Sequence, residues 1–229
     1  MELFKTKNSK CSYILFPNFN GYETPLGIFE DLKTPNFNKF GCPSITSVKN
    51  KIYSANSFLT IEIEFGLKND EPYFNYVFDT KTTQITNDIH TFINSIISIQ
   101  YQNNIINFQL LTPYAFVTDD KELEFTTVMP NMKTENCLFV NGGFRPYYWI
   151  RNFNSTWTLK DPNKKGKLYF NVNDPIVSVI FNKSVDLKYI EPTEKILNYT
   201  KQSFRSQIIR KNLHQVYNNV INRRPKKLL

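Results

Sequence analysis

Between Phe58 and Phe65 the chain alternates: Leu59, Ile61, Ile63 and Phe65 fall on one side of an extended backbone, and Phe58, Thr60, Glu62 and Glu64 on the other. A period of two marks a strand with one face in a core and the other in water. Tyr73 to Phe78 repeats the signal as an antiparallel partner, and Gly66 to Pro72, which contains Asn69-Asp70, supplies the turn. Ile105 to Val117, Leu123 to Met129, Cys137 to Val140, Thr156 to Leu159, Leu168 to Val172, Ile176 to Phe181 and Val185 to Ile190 have the length and the β-branched and aromatic content of further strands. Asn173-Asp174-Pro175 is a tight-turn signal between two of them. The first forty residues, broken by Pro17, Pro25 and Pro35, read as loop around one short strand, Tyr13 to Phe16.

Three stretches carry a helical period. Ile45, Val48 and Ile52 are spaced by three and four behind Pro43, which predicts a short helix over Pro43 to Lys51. Ile89 to Ile99 suits both states, since Ile89, Phe92, Ile93, Ile96 and Ile97 line one helical face while its β-branched content suits a strand. From Thr193 to Asn222 the residues Leu197, Phe204, Ile208, Leu213, Tyr217 and Val220 form an apolar stripe, with Thr193 as N-cap and Glu194 in the first turn. Many short strands without an alternating βαβ pattern predict a mainly β fold. Its form is an antiparallel β-sandwich or jelly-roll-like double sheet with one short N-terminal helix and a C-terminal amphipathic helix. The body is expected over residues 1–192 and the basic helix and tail over 193–229.

Charge separates the same two parts. The formal net charge is +8, yet Lys195 to Leu229 holds nine basic side chains and no acid, leaving 19 basic against 20 acidic groups before it. The stripe and its charge admit three readings: a helix covering an open sheet face, a helix docking into a protein partner or a second copy, and a helix using its charge on nucleic acid or a membrane surface. The residues that would make such contacts are Lys201, Arg205, Arg210, Lys211, Arg223 and Arg224. No apolar run approaches the roughly 18 residues of a membrane span, and the first ten residues lack the apolar core of a secretory signal. Cys11, Cys42 and Cys137 are too few and too widely spaced for a disulfide framework and fit free thiols in a reducing compartment. Phe, Tyr, Asn, Ile and Lys make up 105 of 229 residues while Ala occurs twice, the mark of an AT-rich genome, so part of the basic and aromatic abundance is codon drift.

Familiar catalytic patterns are missing. His90 and His214 lie far apart with no H-x-D or H-x-H pair for a metal, no Gly-rich phosphate loop or nucleophile elbow occurs, and no motif implies a cofactor. The densest constellation is Gly142 to Phe153, where Arg145, Tyr148, Trp149 and Arg151 stand close to Trp157, so both tryptophans and two arginines share one segment. As a site, the arginines supply planar forks for carboxylate or phosphate and the rings supply stacking surface. As core, Trp149 and Phe153 would pack inward and Arg151 would bond to loop carbonyls.

Gly142 to Asn152 also resembles the G-S-F-D-I-x-x-W-F-R-P signature of a family of uncharacterised bacterial and tailed-phage proteins. It matches at Gly142, Phe144, Trp149 and Arg151 and departs at Arg145, Pro146, Ile150 and Asn152. Tyr13 to Pro17, Gly41-Cys42-Pro43, Tyr53 and Asn173-Asp174-Pro175 keep the family's order, so the resemblance spans residues 12 to 190 and leaves out the basic helix. The resemblance implies a phage or bacterial origin and no known activity. The functional expectation is a non-enzymatic phage accessory or virion-associated binding protein, in the virion or the host cytoplasm, joined to a partner by its basic helix. The alternatives are a small-ligand protein or enzyme with a site at Arg145, Trp149 and Arg151, and nucleic-acid binding through the tail.

Overall fold

The computed structural model describes residues 8–15, 18–19, 22–23, 32–34, 50–79 and 89–200. Its strands are β1 (Ser9–Leu15), β2 (Asn18–Phe19), β3 (Tyr22–Glu23), β4 (Ile52–Asn56), β5 (Ile61–Lys68), β6 (Glu71–Phe78), β7 (Ile97–Gln102), β8 (Ile105–Val117), β9 (Phe125–Val128), β10 (Thr134–Glu135), β11 (Cys137–Phe139), β12 (Gly143–Phe144), β13 (Asn152–Leu159), β14 (Gly166–Phe170), β15 (Pro175–Phe181) and β16 (Val185–Tyr189). Helix α1 spans Ile89–Ile96, and residues 194–200 form helix α2. The largest sheet runs β11-β13-β8-β1-β16 with β7 also on β8; two four-stranded sheets run β10-β14-β5-β6 and β12-β9-β15-β4, and β2 pairs with β3. The fold is mainly β and sandwich-like, as the alternation predicts.

Two hairpins are set by asparagine. Asn69-Asp70 between β5 and β6, and Asn103-Asn104 between β7 and β8, all have φ between 54° and 62°. Positive φ at both central residues is the two-residue turn whose twist matches the strands, and Asn and Asp tolerate it best after Gly. The first turn is therefore two residues long, and Gly66, Leu67 and Pro72 lie inside strands that pair Leu67 with Pro72. β6 is an edge strand, where a missing N–H is tolerated.

The layers meet through phenylalanine. Phe108 of β8 stacks on Phe65 of β5 with centroids 4.4 Å apart, and Phe116 of β8 meets Phe125 of β9 at 4.9 Å and Phe181 of β15 at 5.0 Å. The large sheet thus packs one face on both smaller sheets. The buried tryptophan is Trp157, whose indole N–H donates to Ser155 Oγ at 2.5 Å. Burial at this density makes shape decisive.

β8 is the central strand. β13 holds one edge, while β7 and β1 share the other, pairing with Ile105 to Leu110 and with Tyr114 to Val117. Pro113 falls in the gap between those two partners, where no ladder donor is required. Opposite it β13 bulges between Asn152 and Asn154, and Thr112 Oγ1 donates to the Phe153 carbonyl at 2.6 Å.

Several expectations change. β1 and β16 run parallel, Ser9 to Tyr13 matching Val185 to Tyr189, so the large sheet is mixed where antiparallel pairing was expected. A hairpin forces neighbours antiparallel, but the first and last strands share no turn. The N-terminal helix expected at Pro43 lies outside the described residues through 49. Ile52, read with that helix, opens β4 and pairs with Ile180, so its spacing from Val48 reports no helical face. The ambiguous stretch uses both periods: Ile89, Phe92 and Ile93 are buried along α1, and from Ile97 the chain extends into β7. The long C-terminal helix is described only through residue 200; Thr193 caps it, Oγ1 accepting from the Ile196 N–H at 3.3 Å.

The loop after β8 is pinned to β1 and to the turn before β16. Asp120 accepts from Ser9 Oγ at 2.6 Å and from the Glu122 N–H at 2.9 Å, and Lys183 Nζ lies 2.7 Å from it. Burial opposes the charge, but the bonds from Lys183 and Ser9 outweigh it and hold the carboxyl below the usual carboxylate range. A depressed folded value gives stability that is present above the unfolded value near about 4 and lost as pH falls through the folded one. Acid unfolding monitored by circular dichroism is therefore expected to be shallower in Asp120→Asn than in the parent, and an unchanged acid limb contradicts this role. Gly166 gives a second test. A Cβ there would stand 2.7 Å from Leu159 Cδ2, 2.9 Å from Cys137 Sγ and 3.0 Å from Phe65 Cζ. Gly166→Ala should cost about 1–3 kcal/mol in a urea titration. Gly143→Ala, whose nearest contact is 3.9 Å away, should cost far less.

Candidate functional site

Gly142 to Asn152 carries the chain from one layer to the other, from β12 beside β9 to β13 beside β8. A turn makes the crossing: the N–H groups of Tyr148 and Trp149 both donate to the Arg145 carbonyl, at 3.1 and 3.2 Å, with Pro146 buried at the position where its fixed φ suits a turn. The segment is anchored at two depths. Ile150 is fully buried with Ile14, Ala115 and Val117 on the outer face of the large sheet, and Phe153 is fully buried on the inner face against Phe116.

The same outer cluster takes in the root of α2. Ile196 and Tyr199 are buried there, and the Tyr199 hydroxyl donates to the Tyr148 carbonyl at 3.1 Å. The start of the basic segment's helix is thus joined to the body by the packing of Ile196 and Tyr199 and by the Tyr199–Tyr148 hydrogen bond. Lys201, Arg205, Arg210, Lys211, Arg223 and Arg224 lie outside the described residues.

The four candidates on the crossing segment divide. Arg145 is exposed and engaged, its guanidinium paired with Glu124. Tyr148 is half-buried; its carbonyl receives Tyr199, and its ring meets Tyr147 edge-on at 5.0 Å. Trp149 and Arg151 come together: the guanidinium carbon lies 4.6 Å from the Trp149 ring centroid and 5.1 Å from that of Phe144. Of the structural expectations for this segment, Phe153 packs inward and Arg151 Nε donates to the Asn152 carbonyl at 3.3 Å, but Trp149 is half-exposed. Trp149 falls in the crossing, between a turn and a strand, where only Ile150 can reach the outer cluster. Phe144 belongs to this group as well. Its signal was its position five residues before Trp149, and only the turn at Arg145 brings the two rings to one guanidinium.

Burial lowers the Arg151 pKa, because low dielectric disfavours the charged form. Arginine starts so high that the group stays cationic at neutral pH. One of its five donors bonds to Asn152, and among the described residues no carboxylate pairs with it. The rings supply attraction to its face, each worth about 0.5–2 kcal/mol, while its two terminal nitrogens keep their donors.

Other reactive groups have structural settings. Cys11 and Cys137 are buried free thiols; burial, with Asp120 nearby, pushes the Cys11 thiol far up, and burial pushes Cys137 to about 11. Neither supplies thiolate at neutral pH. His90 is exposed on α1, with Nδ1 3.0 Å from the Tyr76 hydroxyl. Among the described residues no three His, Cys, Asp or Glu side chains are grouped to hold a metal ion, and no helix is long and apolar enough to cross a membrane. A cavity of about 30 Å³ lies between α1, β5 and β8, lined by Ile61, Ile63, Ile93, Ile97 and Leu110 among others. Its walls are almost wholly apolar, with Ser57 as the polar side chain among them.

No family model matches the chain, and neither a curated protein nor a solved structure is detectably similar to it.

The docking of α2 is open to test. Ile196→Ala removes a fully enclosed side chain and should cost about 2–5 kcal/mol. Tyr199→Phe removes the hydrogen bond to the Tyr148 carbonyl and should cost about 0.5–1.5 kcal/mol. Both are read from urea midpoints. Values near zero would mean that α2 leaves the sheet in solution.

Proposed function

We propose that this protein is a non-enzymatic binding protein whose β body is a platform and whose C-terminal basic segment joins it to an acidic partner surface. One observation carries the reading: Ile196 and Tyr199 are buried on the large sheet, so the segment of nine basic and no acidic side chains is rooted in the body where its charge begins. Rooting one end restricts the freedom lost on binding. The body is nearly neutral by itself, so attraction to an acidic surface comes from this segment. The partner is a protein of an assembly or a second copy of the chain. The AT-biased composition and the resemblance at Gly142 to Asn152 support a phage accessory or virion-associated setting.

Position of the cut matters for the test. Ending the chain after Pro192 would strip Ile196 and Tyr199 from the outer cluster and confuse attachment with folding. Ending it after Thr200 keeps that cluster and removes eight of the nine cations. Sedimentation of the full and shortened chains, alone and with the products of the neighbouring genes, is expected to show an assembly for the full chain only, weakening as salt rises. The shortened chain should keep the parent's unfolding midpoint. If it enters the same assembly, the proposed role of the segment is wrong.

A further inference from the structure

We propose that Arg151, with Trp149 and Phe144, is a binding site for an oxyanion, a carboxylate or phosphate group carried on a small ligand. This goes beyond the attachment role, because it uses the crossing segment and not the tail.

The argument begins with what is spare. The Arg151 guanidinium lies over two aromatic rings, its carbon 4.6 Å from the Trp149 centroid and 5.1 Å from that of Phe144. Nε is committed to the Asn152 carbonyl, which orients the fork through the chain's own backbone. The four donors on the two terminal nitrogens have no acceptor among the described residues. Arginine is seldom buried without a carboxylate, since removing the charge from water is costly unless something replaces the water. Here the nearest arginine on the same segment shows the contrast, because Arg145 has its carboxylate in Glu124 while Arg151 has none among the described residues. Two coplanar oxygens match the fork bidentately, the geometry in which arginine exceeds lysine. Trp149 is half-buried, and a ligand with a planar ring next to its charged group would gain contact with the part of the indole that stays exposed.

The two tryptophans make the site self-reporting. Trp157 is fully buried away from it and gives a constant background, whereas Trp149 carries the guanidinium on its face. The experiment titrates the full chain with inorganic phosphate, acetate, phenyl phosphate and benzoate at constant ionic strength, following tryptophan emission, with chloride as the blank. A saturable change is expected for at least one probe, larger for the aromatic member of its pair, with the phosphate and carboxylate arms deciding which oxyanion the site takes. Arg151→Lys should weaken it by about tenfold or more, because a point charge lacks the fork, while Arg145→Gln should leave it unchanged. Should Arg151→Lys not fold, modification of the parent by phenylglyoxal, mapped to Arg151 and slowed by the bound probe, gives the same answer. No saturable change with any of the four probes overturns the proposal, and so does equal binding by Arg151→Lys or a mapped modification of Arg151 that the probes do not slow.

Discussion

Tyr114 and Phe116 project from one face of β8, and Ala115 and Val117 from the other, with all four buried. A strand that is apolar on both sides cannot leave either in water, at about 25 cal/mol for each Å². That requirement organises the molecule. One face is met by the phenylalanines of the two smaller sheets, and the other by Ile14, Ile150, Ile196 and Tyr199. The small size of Ala115 and Val117 lets a helix approach where an aromatic residue would hold it away. The first residues of α2, Ile196 and Tyr199, therefore share one hydrophobic cluster with Ile14, Ala115, Val117 and Ile150 of the body.

The crossing segment inherits its geometry from the same strand. Ile150 lies in the outer cover of β8 and Phe153 in the inner one, three residues later, as alternation along the chain allows. Arg151 stands between them, neither in the core nor free of it. Its position over Trp149 and Phe144 follows from where its neighbours are buried. The Tyr199 hydroxyl then ties the segment to α2 through the Tyr148 carbonyl. Ile150 of the crossing segment and Ile196 and Tyr199 of α2 belong to one hydrophobic cluster.

Much of this could be read along the chain. Alternation at Leu59 to Phe65 placed β5, Asn173-Asp174-Pro175 placed the turn into β15, and Thr193 placed the cap of α2, because each signal is local and chemical. The segment Gly142 to Phe153 stood out by composition. Its division was not visible there: Arg145 is paired with Glu124, 21 residues away, and Arg151 gains Phe144 only through a turn. Trp149 and Trp157 look alike in the sequence, yet one is half-exposed and the other fully enclosed.

Sequence by itself determined the mainly β class, the turn signals at Asn69-Asp70 and Asn173-Asp174-Pro175, the start of the last helix and the separation of a neutral body from a basic end. All rest on periods, caps and charges that need no distant partner. Tertiary structure alone decided that β1 lies parallel to β16, that Pro113 sits in a gap between partners, that Ile52 belongs to a strand, and that Arg151 lies over Trp149 and Phe144. These depend on which residues meet across the fold, and a period of two or of 3.6 records only which side of its own element a residue faces.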